Sequence, residues 1–165
     1  DKGVQGDTLK NFVLGKPKLS TFIDEMDNLS LKIKSRFICR DSRIPVVMAT
    51  DNGDTVSLDI ERFDLEPQRP FFHGIIPDIE KLPLENLSKK DWISLATKIV
   101  NPTSIPERMR SSIEEIGKTI SAIPQLGTSA NTAGSAVAYA VRKIANKQNM
   151  PSGRYIIDYD EIFAP

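Results

Sequence analysis

The sequence contains few of the residues that most often carry chemistry. Its 165 residues include one His and one Cys. A single His excludes His-cluster metal sites and most zinc patterns. A single Cys excludes an internal disulfide, so a reducing compartment or an assembled particle fits better than a disulfide-stabilised secreted protein. No apolar run reaches the length of a transmembrane helix, and we recognise no signal peptide.

The sequence also has no excess of charge. Lys+Arg and Asp+Glu number 22 each, so no overall charge attracts nucleic acid. A hydrophobic fraction of 39% and a charged fraction of 27% are typical of a globular protein. The length suffices for one domain with a core of its own. We expect an α+β fold, in which a small antiparallel, hairpin-containing sheet is packed by C-terminal helices.

Catalytic motifs are missing as well. The sequence has no Walker loop, no dinucleotide glycine pattern and no Gly-x-Ser-x-Gly elbow. His73 could in principle activate Ser88, with Asp78 as the orienting carboxylate. A His beside two Phe and a Gly is more often a packed loop residue. Asp158 and Asp160 lack the spaced oxygen ligands of a calcium loop. We therefore predict no catalytic residue, no cofactor, no metal and no small-molecule substrate.

Residues 105–147 are the most informative stretch, and they predict two helices. Ser104 and Glu107 are predicted to form a capping box, and Pro106 suits the start of a helix. The apolar residues then recur on one helical face: Met109, Ile113, Ile116 and Ile120. Pro124 and Gly127 are predicted to end this first helix.

The second helix, over 130–147, is rich in small residues, and Thr128 or Ser129 is predicted to cap it. Its small residues would let another helix approach closely, and its cations would complement the helix dipole or anionic groups. The interaction candidates are Ala130, Gly134, Ala138, Arg142, Lys143 and Lys147. Under the alternative interpretation, the small-residue groove packs within the molecule on the helix of residues 105–123.

Residues 29–40 alternate between apolar and basic side chains, which predicts a strand. Its basic face would carry Lys32, Lys34, Arg36 and Arg40. Two interpretations stay open: the cations protect a half-buried strand, or they bind phosphate or an acidic partner. Cys39 would lie on the apolar face as an inert thiol.

A hairpin is predicted at Asn52-Gly53, because such a pair supplies the positive φ values of a tight turn. Its strands are 45–49 and 55–65. Asp59 and Glu61 share the acidic face of the second strand. We expect this face to lie beside the basic face of residues 29–40, as cross-strand charge pairs.

The chain divides by composition into an N-terminal arm (1–28), antiparallel strands (29–66), a Pro-rich connection (67–87), a helical region (88–147) and a C-terminal extended arm (148–165). The helical region opens with a helix that Ser88 caps, with Asp91 in the reciprocal position. Its predicted buried stripe is Trp92, Leu95, Ala96 and Ile99. Residues 154–159 read as a final strand or extended arm.

Residues 82–127 resemble the C-terminal region of insect nodavirus-type capsid proteins. The matching pieces are Leu82-Pro83, Trp92, the run 107–113 and the Ile-Pro-x-x-Gly of residues 123–127. The resemblance implies a virion protein whose helices lie under an icosahedral shell, touch RNA and disturb membranes. That family cleaves itself at an Asn-Ala bond, which this sequence lacks, so self-cleavage is not implied.

Three functions follow as expectations. The first is a non-enzymatic structural or assembly protein, a viral capsid or virion component with a helical association or membrane-active segment. The second is a soluble adaptor or regulatory domain that docks a partner through its C-terminal helices. The third is a small hydrolase that uses His73. The expected partners are other protein subunits, with RNA or an anionic membrane as candidate contacts. The expected location is a virion or host cytoplasm if the protein is viral, and otherwise the cytoplasm.

Overall fold

The computed structural model describes residues 3–82, 88–100, 105–122 and 124–165. Its centre is a four-stranded sheet in the order β1-β2-β3-β4. The strands are β1 (Phe22–Ile23), β2 (Val46–Asn52), β3 (Thr55–Glu61) and β4 (Gly153–Asp158). The first pair is parallel and the other two pairs are antiparallel. This mostly antiparallel sheet with its helices confirms the predicted α+β class.

Helices cover both faces of the sheet. They are α1 (Leu9–Leu14), α2 (Leu29–Asp41), α3 (Lys89–Val100), α4 (Glu107–Glu115), α5 (Gly127–Ala145) and α6 (Tyr159–Ile162), with 3-10 helices at Phe71–Gly74 and Ile79–Lys81. On one face, α5 buries Val137, Ala140 and Ile144 against apolar residues of β2 and β3. A larger core on the other face joins α1, α2 and the connection after β3, through residues such as Ile33 and Phe71. The sheet is therefore the shared wall of two cores.

The hairpin prediction is confirmed. Asn52 pairs with Thr55, so Gly53 and Asp54 form a two-residue loop. Gly53 has a φ of 63°, which a residue with a side chain adopts at a cost. The prediction assigned positive φ to the Asn-Gly pair, whereas Asn52 is a strand residue and only Gly53 takes the left-handed conformation.

The predicted strand of residues 29–40 is wrong, because this segment is helix α2. Asn28 begins the helix: its side chain accepts a hydrogen bond of 3.0 Å from the Leu31 N–H. Leu29, Ile33 and Cys39 fall on one buried helical face. The spacing of the apolar residues fits both a strand and a helix. The Asn28 cap and the buried helical face favour the helix.

The helical region differs in detail from its prediction. Helix α4 ends at Glu115 instead of near residue 123, and Gly117 follows with a φ of 81°. Its apolar face is not buried, since Ile113 is 40% exposed. Helix α5 begins at Gly127, without the predicted cap from Thr128 or Ser129. The proposed capping residue Ser104 lies outside the described residues.

The cap of α3 is confirmed, because the Ser88 hydroxyl accepts a hydrogen bond of 3.1 Å from the Asp91 N–H and donates to the Asp91 carboxylate. Of its predicted stripe, Ile99 is buried, whereas Trp92 is 41% exposed. The helix therefore contacts the molecule mainly through its C-terminal half.

The two predicted arms belong to the body of the fold. In the N-terminal segment 1–28, Leu9 of α1 and Phe22 of β1 are buried in the larger core. In the C-terminal segment 148–165, β4 pairs along its length with β3. The segment 29–66 contains a helix and a hairpin instead of strands alone. Composition did not reveal these roles, because strand pairing depends on partners distant in the sequence.

Candidate functional site

A buried ionic cluster lies between α2 and the sheet. The Arg36 guanidinium is inaccessible to solvent; its Nε donates to Glu61 Oε2 at 2.7 Å, and Nη1 donates to Asp24 Oδ2 at 2.5 Å. Lys32 adds a second ion pair to Asp24 at 3.0 Å. The Phe72 ring stacks on the guanidinium at 3.8 Å. The cluster therefore ties α2, the segment after β1, β3 and the following loop together.

The opposite charges of this cluster stabilise each other electrostatically. Burial alone would raise the pKa of Asp24, but the charges and hydrogen bonds of Arg36 and Lys32 outweigh burial and hold that pKa below its usual value. Burial opposes the charge of Arg36, and Glu61 and Asp24 outweigh it, so the pKa of Arg36 is raised. The guanidinium lies between the Asp24 and Glu61 carboxylates and bonds to both, so the cluster compensates the buried charge of Arg36.

Two carboxylates of β3 hold the loop Phe71–Gly74 in an unusual conformation. Phe72 and His73 have φ values of 49° and 58°, which side-chain-bearing residues seldom adopt. Glu61 Oε1 accepts the Phe72 N–H at 2.8 Å, and Asp59 Oδ1 lies 3.0 Å from His73 Nε2. Asp59 and Glu61 are two residues apart on β3, so their side chains lie on the same face of the sheet. Strand β3 therefore fixes the conformation of both Phe72 and His73.

His73 is bonded through both ring nitrogens. Nε2 faces Asp59, and Nδ1 lies 3.2 Å from Arg69 Nε, which can only donate. Nδ1 therefore accepts and Nε2–H donates. The catalytic arrangement of His73, Ser88 and Asp78 that a hydrolase would need is not formed. Asp78 is paired with Lys81, and Ser88 caps α3 with Asp91. The loop role of His73 was predicted, but its partner Asp59 was not.

Asp59 is the second buried carboxylate centre. Arg154 of β4 binds it bidentately, with both N–O distances 2.7 Å, and also donates to the Ile99 carbonyl at 2.6 Å. Burial would raise the pKa of Asp59, but His73 and Arg154 together lower it below the usual value. Through Asp59, β4, α3 and the Phe71–Gly74 loop are joined.

The predicted basic face does not exist as a surface, because its residues lie on a helix. Lys32 and Arg36 point into the ionic cluster, and Arg40 pairs with Glu80 at 2.7 Å and stacks over Phe71. Lys34 is half-buried. The expected charge pairing with the acidic face of residues 55–65 occurs between helix and strand, as Arg36 with Glu61, and not between two strands.

Hydroxyl groups on the same face of the sheet differ in their partners. Thr50 and Ser57 are cross-strand neighbours, and their buried side-chain oxygens have no hydrogen-bond partner within the described part of the chain. Thr55, two residues before Ser57, donates to Asp158 Oδ2 at 3.0 Å. The polar face of β3 thus holds one satisfied and one unsatisfied hydroxyl side by side.

The interaction candidates of α5 lie on its outer side. Ala130, Gly134 and Ala138 are all exposed, while the helix buries its other face on the sheet. A Cβ added at Gly134 would meet no atom within 4 Å. The alternative prediction, that this stripe packs on the helix of residues 105–123, is therefore wrong: the buried contact of α5 is with the sheet, and α4 buries no residue.

The stripe borders an open groove of about 350 Å³ between α5 and the sheet edge at β1 and β2. Its apolar lining comes from Ile23, Ala49, Ala130, Ala133, Gly134 and Val137. Glu25 and Asp51 supply carboxylates to its wall. Burial, with Asp24 and Asp51 nearby, raises the pKa of Glu25 although its carboxylate accepts the Ala49 N–H at 3.4 Å. The groove is apolar on its floor and acidic at its side.

The cations predicted at the end of α5 surround an exposed aromatic ring. The Arg142 guanidinium lies 5.3 Å and the Lys143 ammonium 6.0 Å from the centre of the Tyr139 ring. Lys147 follows the helix with a φ of 55°. These cations are separate from the groove, whose described lining includes none of them.

The described residues contain neither a metal-binding cluster nor a helix that could span a membrane. No three His, Cys, Asp or Glu side chains come together as a metal site there. Within the same residues, none of the helices combines the length and apolar character that crossing a membrane requires. Cys39 is buried in α2, and burial raises the pKa of its thiol to about 12.

The fold and its groove define an α+β domain that presents a small-residue channel beside a sheet edge. No protein-family model matches the chain. It is similar to an uncharacterised protein, MT1398, of Mycobacterium tuberculosis (strain CDC 1551 / Oshkosh), with 33% identity over 156 residues. The match covers 94% of this chain and 21% of the relative, so the chain spans about a fifth of that protein.

A solved structure shares the fold. The crystal structure of selenomethionine PaaA superposes with a TM-score of 0.53 at 13% identity. The match covers 98% of this chain and 45% of PaaA. At this identity the likeness concerns the fold alone. In both comparisons the chain corresponds to part of a longer protein.

Proposed function

We propose that this chain is a non-enzymatic interaction domain that binds an extended, basic segment of a protein partner in the groove beside α5. The groove itself carries the proposal: small side chains leave its floor open, and the carboxylates of Glu25 and Asp51 stand beside it. An apolar channel with acidic walls complements a segment in which a Lys or Arg neighbours small apolar residues.

The rigidity of the groove supports this function. Helix α5 is fixed to the sheet through Val137, Ala140 and Ile144, so the groove between them needs little rearrangement to receive a partner. The raised pKa of Glu25 adds a second argument, because a cation placed beside a carboxylate that burial disfavours would lower that pKa and gain affinity.

The remaining expectations have weaker support. A role for this domain in a virion stays a prediction, as does contact of Arg142, Lys143 and Lys147 with RNA or an anionic membrane. The hydrolase interpretation is disfavoured by the geometry of His73, whose two ring nitrogens are already bonded.

The test is a titration of the protein that is monitored by NMR. One titrant is the peptide acetyl-Ala-Val-Lys-Val-Ala-amide, and the control peptide carries Glu in place of Lys. We expect the Lys peptide to shift the amide resonances of Ala49 and Gly134, and the Glu peptide to leave them in place. The affinity for the Lys peptide should fall as salt rises, since the attraction is partly Coulombic. Equal responses to both peptides, or none, would contradict the proposal.

Two variants make the test specific to the groove. Gly134→Leu should abolish the shifts without lowering the melting temperature, because nothing lies within 4 Å of the added Cβ. Gly134→Ala is the matched control, because it should keep binding largely intact and stabilise the helix interior by about 0.5–1 kcal/mol. Binding that survives Gly134→Leu would move the peptide site away from the groove.

A further inference from the structure

Strand β4 forms the edge of the sheet opposite to the groove. The sheet order places β4 at this edge, and none of the other strands in the described residues pairs with its outer side. Ile156, in the middle of β4, is 47% exposed. Helix α6 follows directly, and its last residue, Ile162, and the next residue, Phe163, are 60% and 77% exposed. An edge strand with exposed apolar side chains is a template for another strand.

The register of the hairpin fixes which backbone groups of β4 point outward. A two-residue hairpin loop is closed by a hydrogen-bonded pair, here Asn52 with Thr55. Hydrogen-bonded and non-hydrogen-bonded pairs then alternate, so Val56, Leu58 and Ile60 direct their backbone groups to β4. Their partners on β4 are Ile157, Tyr155 and Gly153. The hydrogen bond from Tyr159 N–H to the Asp54 carbonyl, 3.3 Å, fits the same alternation.

The residues between these partners therefore direct their backbone N–H and C=O groups away from β3. They are Arg154, Ile156 and Asp158. All three also share one face of the sheet, because side chains alternate along a strand. The sequence around Ile156 is consequently self-complementary in a two-fold antiparallel pairing: Ile156 lies opposite Ile156, and Arg154 lies opposite Asp158.

We propose that β4 pairs antiparallel with β4 of a second copy of this chain, about a two-fold axis at Ile156, so that one sheet runs through both copies. Every outward residue then takes part in a hydrogen-bonded pair, which exchanges both N–H···O bonds. The two Ile156 side chains cover each other, and each Arg154 faces a carboxylate of opposite charge. If the register shifted by one residue, residues whose backbone groups already bond to β3 would lie opposite residues whose backbone groups point away from it, and the hydrogen bonds could not form.

The first experiment measures mass in solution by light scattering over a range of concentrations. We expect twice the protomer mass of 18.4 kDa, with dissociation on dilution. Ile156→Lys should give a folded monomer, because the symmetric pairing sets two like charges against each other. Ile23→Lys is the matched control: Ile23 is also 47% exposed and lies in the opposite edge strand, so the dimer should persist.

The second experiment tests the register and remains valid if Ile156→Lys fails to fold. In a hydrogen-bonded antiparallel pair the Cα atoms are about 5.5 Å apart, which a disulfide can span. Ile156→Cys should therefore cross-link two copies when oxidised glutathione accepts the two electrons, whereas Ile23→Cys should not. Cys39 is buried and should stay unreacted.

Each outcome decides. A wild-type protein that is monomeric at every concentration overturns the proposal and leaves the edge for a strand of another chain. A dimer that survives Ile156→Lys, or an Ile156→Cys protein that does not cross-link, also overturns it. The proposal is supported if Ile156→Lys loses the dimer, Ile23→Lys keeps it, and Ile156→Cys forms the cross-link.

Discussion

Arg36 and Glu61 form an ion pair with an N–O distance of 2.7 Å in which both side chains are inaccessible or nearly so. Removing one partner of such a pair leaves a charge inside the protein without compensation. The pair joins α2 to β3, and Glu61 continues the chain of contacts to the Phe72 N–H. The left-handed loop at Phe71–Gly74 therefore depends on a charge of helix α2, which packs in the same core and on the same face of the sheet.

Arg36→Met should destabilise the fold by about 3–5 kcal/mol, because Glu61 would stay buried without its cation and Asp24 would keep only Lys32. The measurement is the free energy of unfolding by urea. Lys118→Met is the control, since its ion pair with Glu115 is exposed, and it should change the midpoint little. Adding Asp24→Asn and Glu61→Gln to Arg36→Met should restore part of the loss. No restoration would mean that packing, and not charge, explains the loss.

The same cluster predicts a dependence of stability on pH. The pKa of Asp24 is lowered in the folded protein below its ordinary value of 3.8, because Arg36 and Lys32 outweigh burial. A lowered pKa contributes stability above the unfolded value, and this contribution is lost as pH falls from 3.8 through the folded pKa. Asp59 behaves in the same direction. Melting temperatures should therefore fall as the pH decreases below about 4.

Asp24→Asn separates this effect from general acid denaturation. The variant should be less stable than the wild type at neutral pH, and the difference should shrink in acid. A constant difference across the acidic range would show that the charge of Asp24 is not the source of the pH dependence.

The hairpin was predictable from sequence because its signal is local. Asn52-Gly53 specifies the turn, and the alternation of Val56, Leu58 and Ile60 specifies the strand after it. The cap of α3 was predictable for the same reason, since Ser88 and Asp91 are neighbours along the chain. These features need no knowledge of the tertiary structure.

Helix α2 and the ionic cluster were not predictable in this way. Arg36 was assigned to a solvent-facing stripe, because a cation is seldom fully buried. Its partners, Asp24 and Glu61, lie 12 and 25 residues away, so no local pattern joins the three. The open side of Gly134 was anticipated as a groove, but the acidic wall from Glu25 and Asp51 depends on the sheet register.

Gly53→Val should destabilise the fold by roughly 1 kcal/mol or more, for two reasons. A β-branched residue resists the φ of 63°, and an added Cβ would lie 2.9 Å from Pro106 Cγ. Gly127→Ala is the control, because it meets no neighbour and needs no positive φ. Thermal unfolding of both variants measures the effect. Equal melting temperatures for Gly53→Val and the wild type would remove the turn from the determinants of stability.

The two hydroxyls of β3 should respond in opposite ways to removal. Ser57 is fully buried and its hydroxyl oxygen has no partner among the described residues, so Ser57→Ala should leave stability unchanged or raise it, since an unsatisfied buried group costs about 1–3 kcal/mol. Thr55→Val keeps the shape of the side chain but removes the hydrogen bond to Asp158, and it should cost about 1 kcal/mol.

Urea denaturation measures the free energy of unfolding of both variants and of the wild type. Because Thr55 and Ser57 lie on one strand and one face of the sheet, the two changes can be compared directly. The double variant should equal the sum of the single ones, because the two hydroxyls share no hydrogen bond. A loss in Ser57→Ala as large as that in Thr55→Val would mean that the Ser57 hydroxyl has a partner after all, which ordered water in the interior could supply.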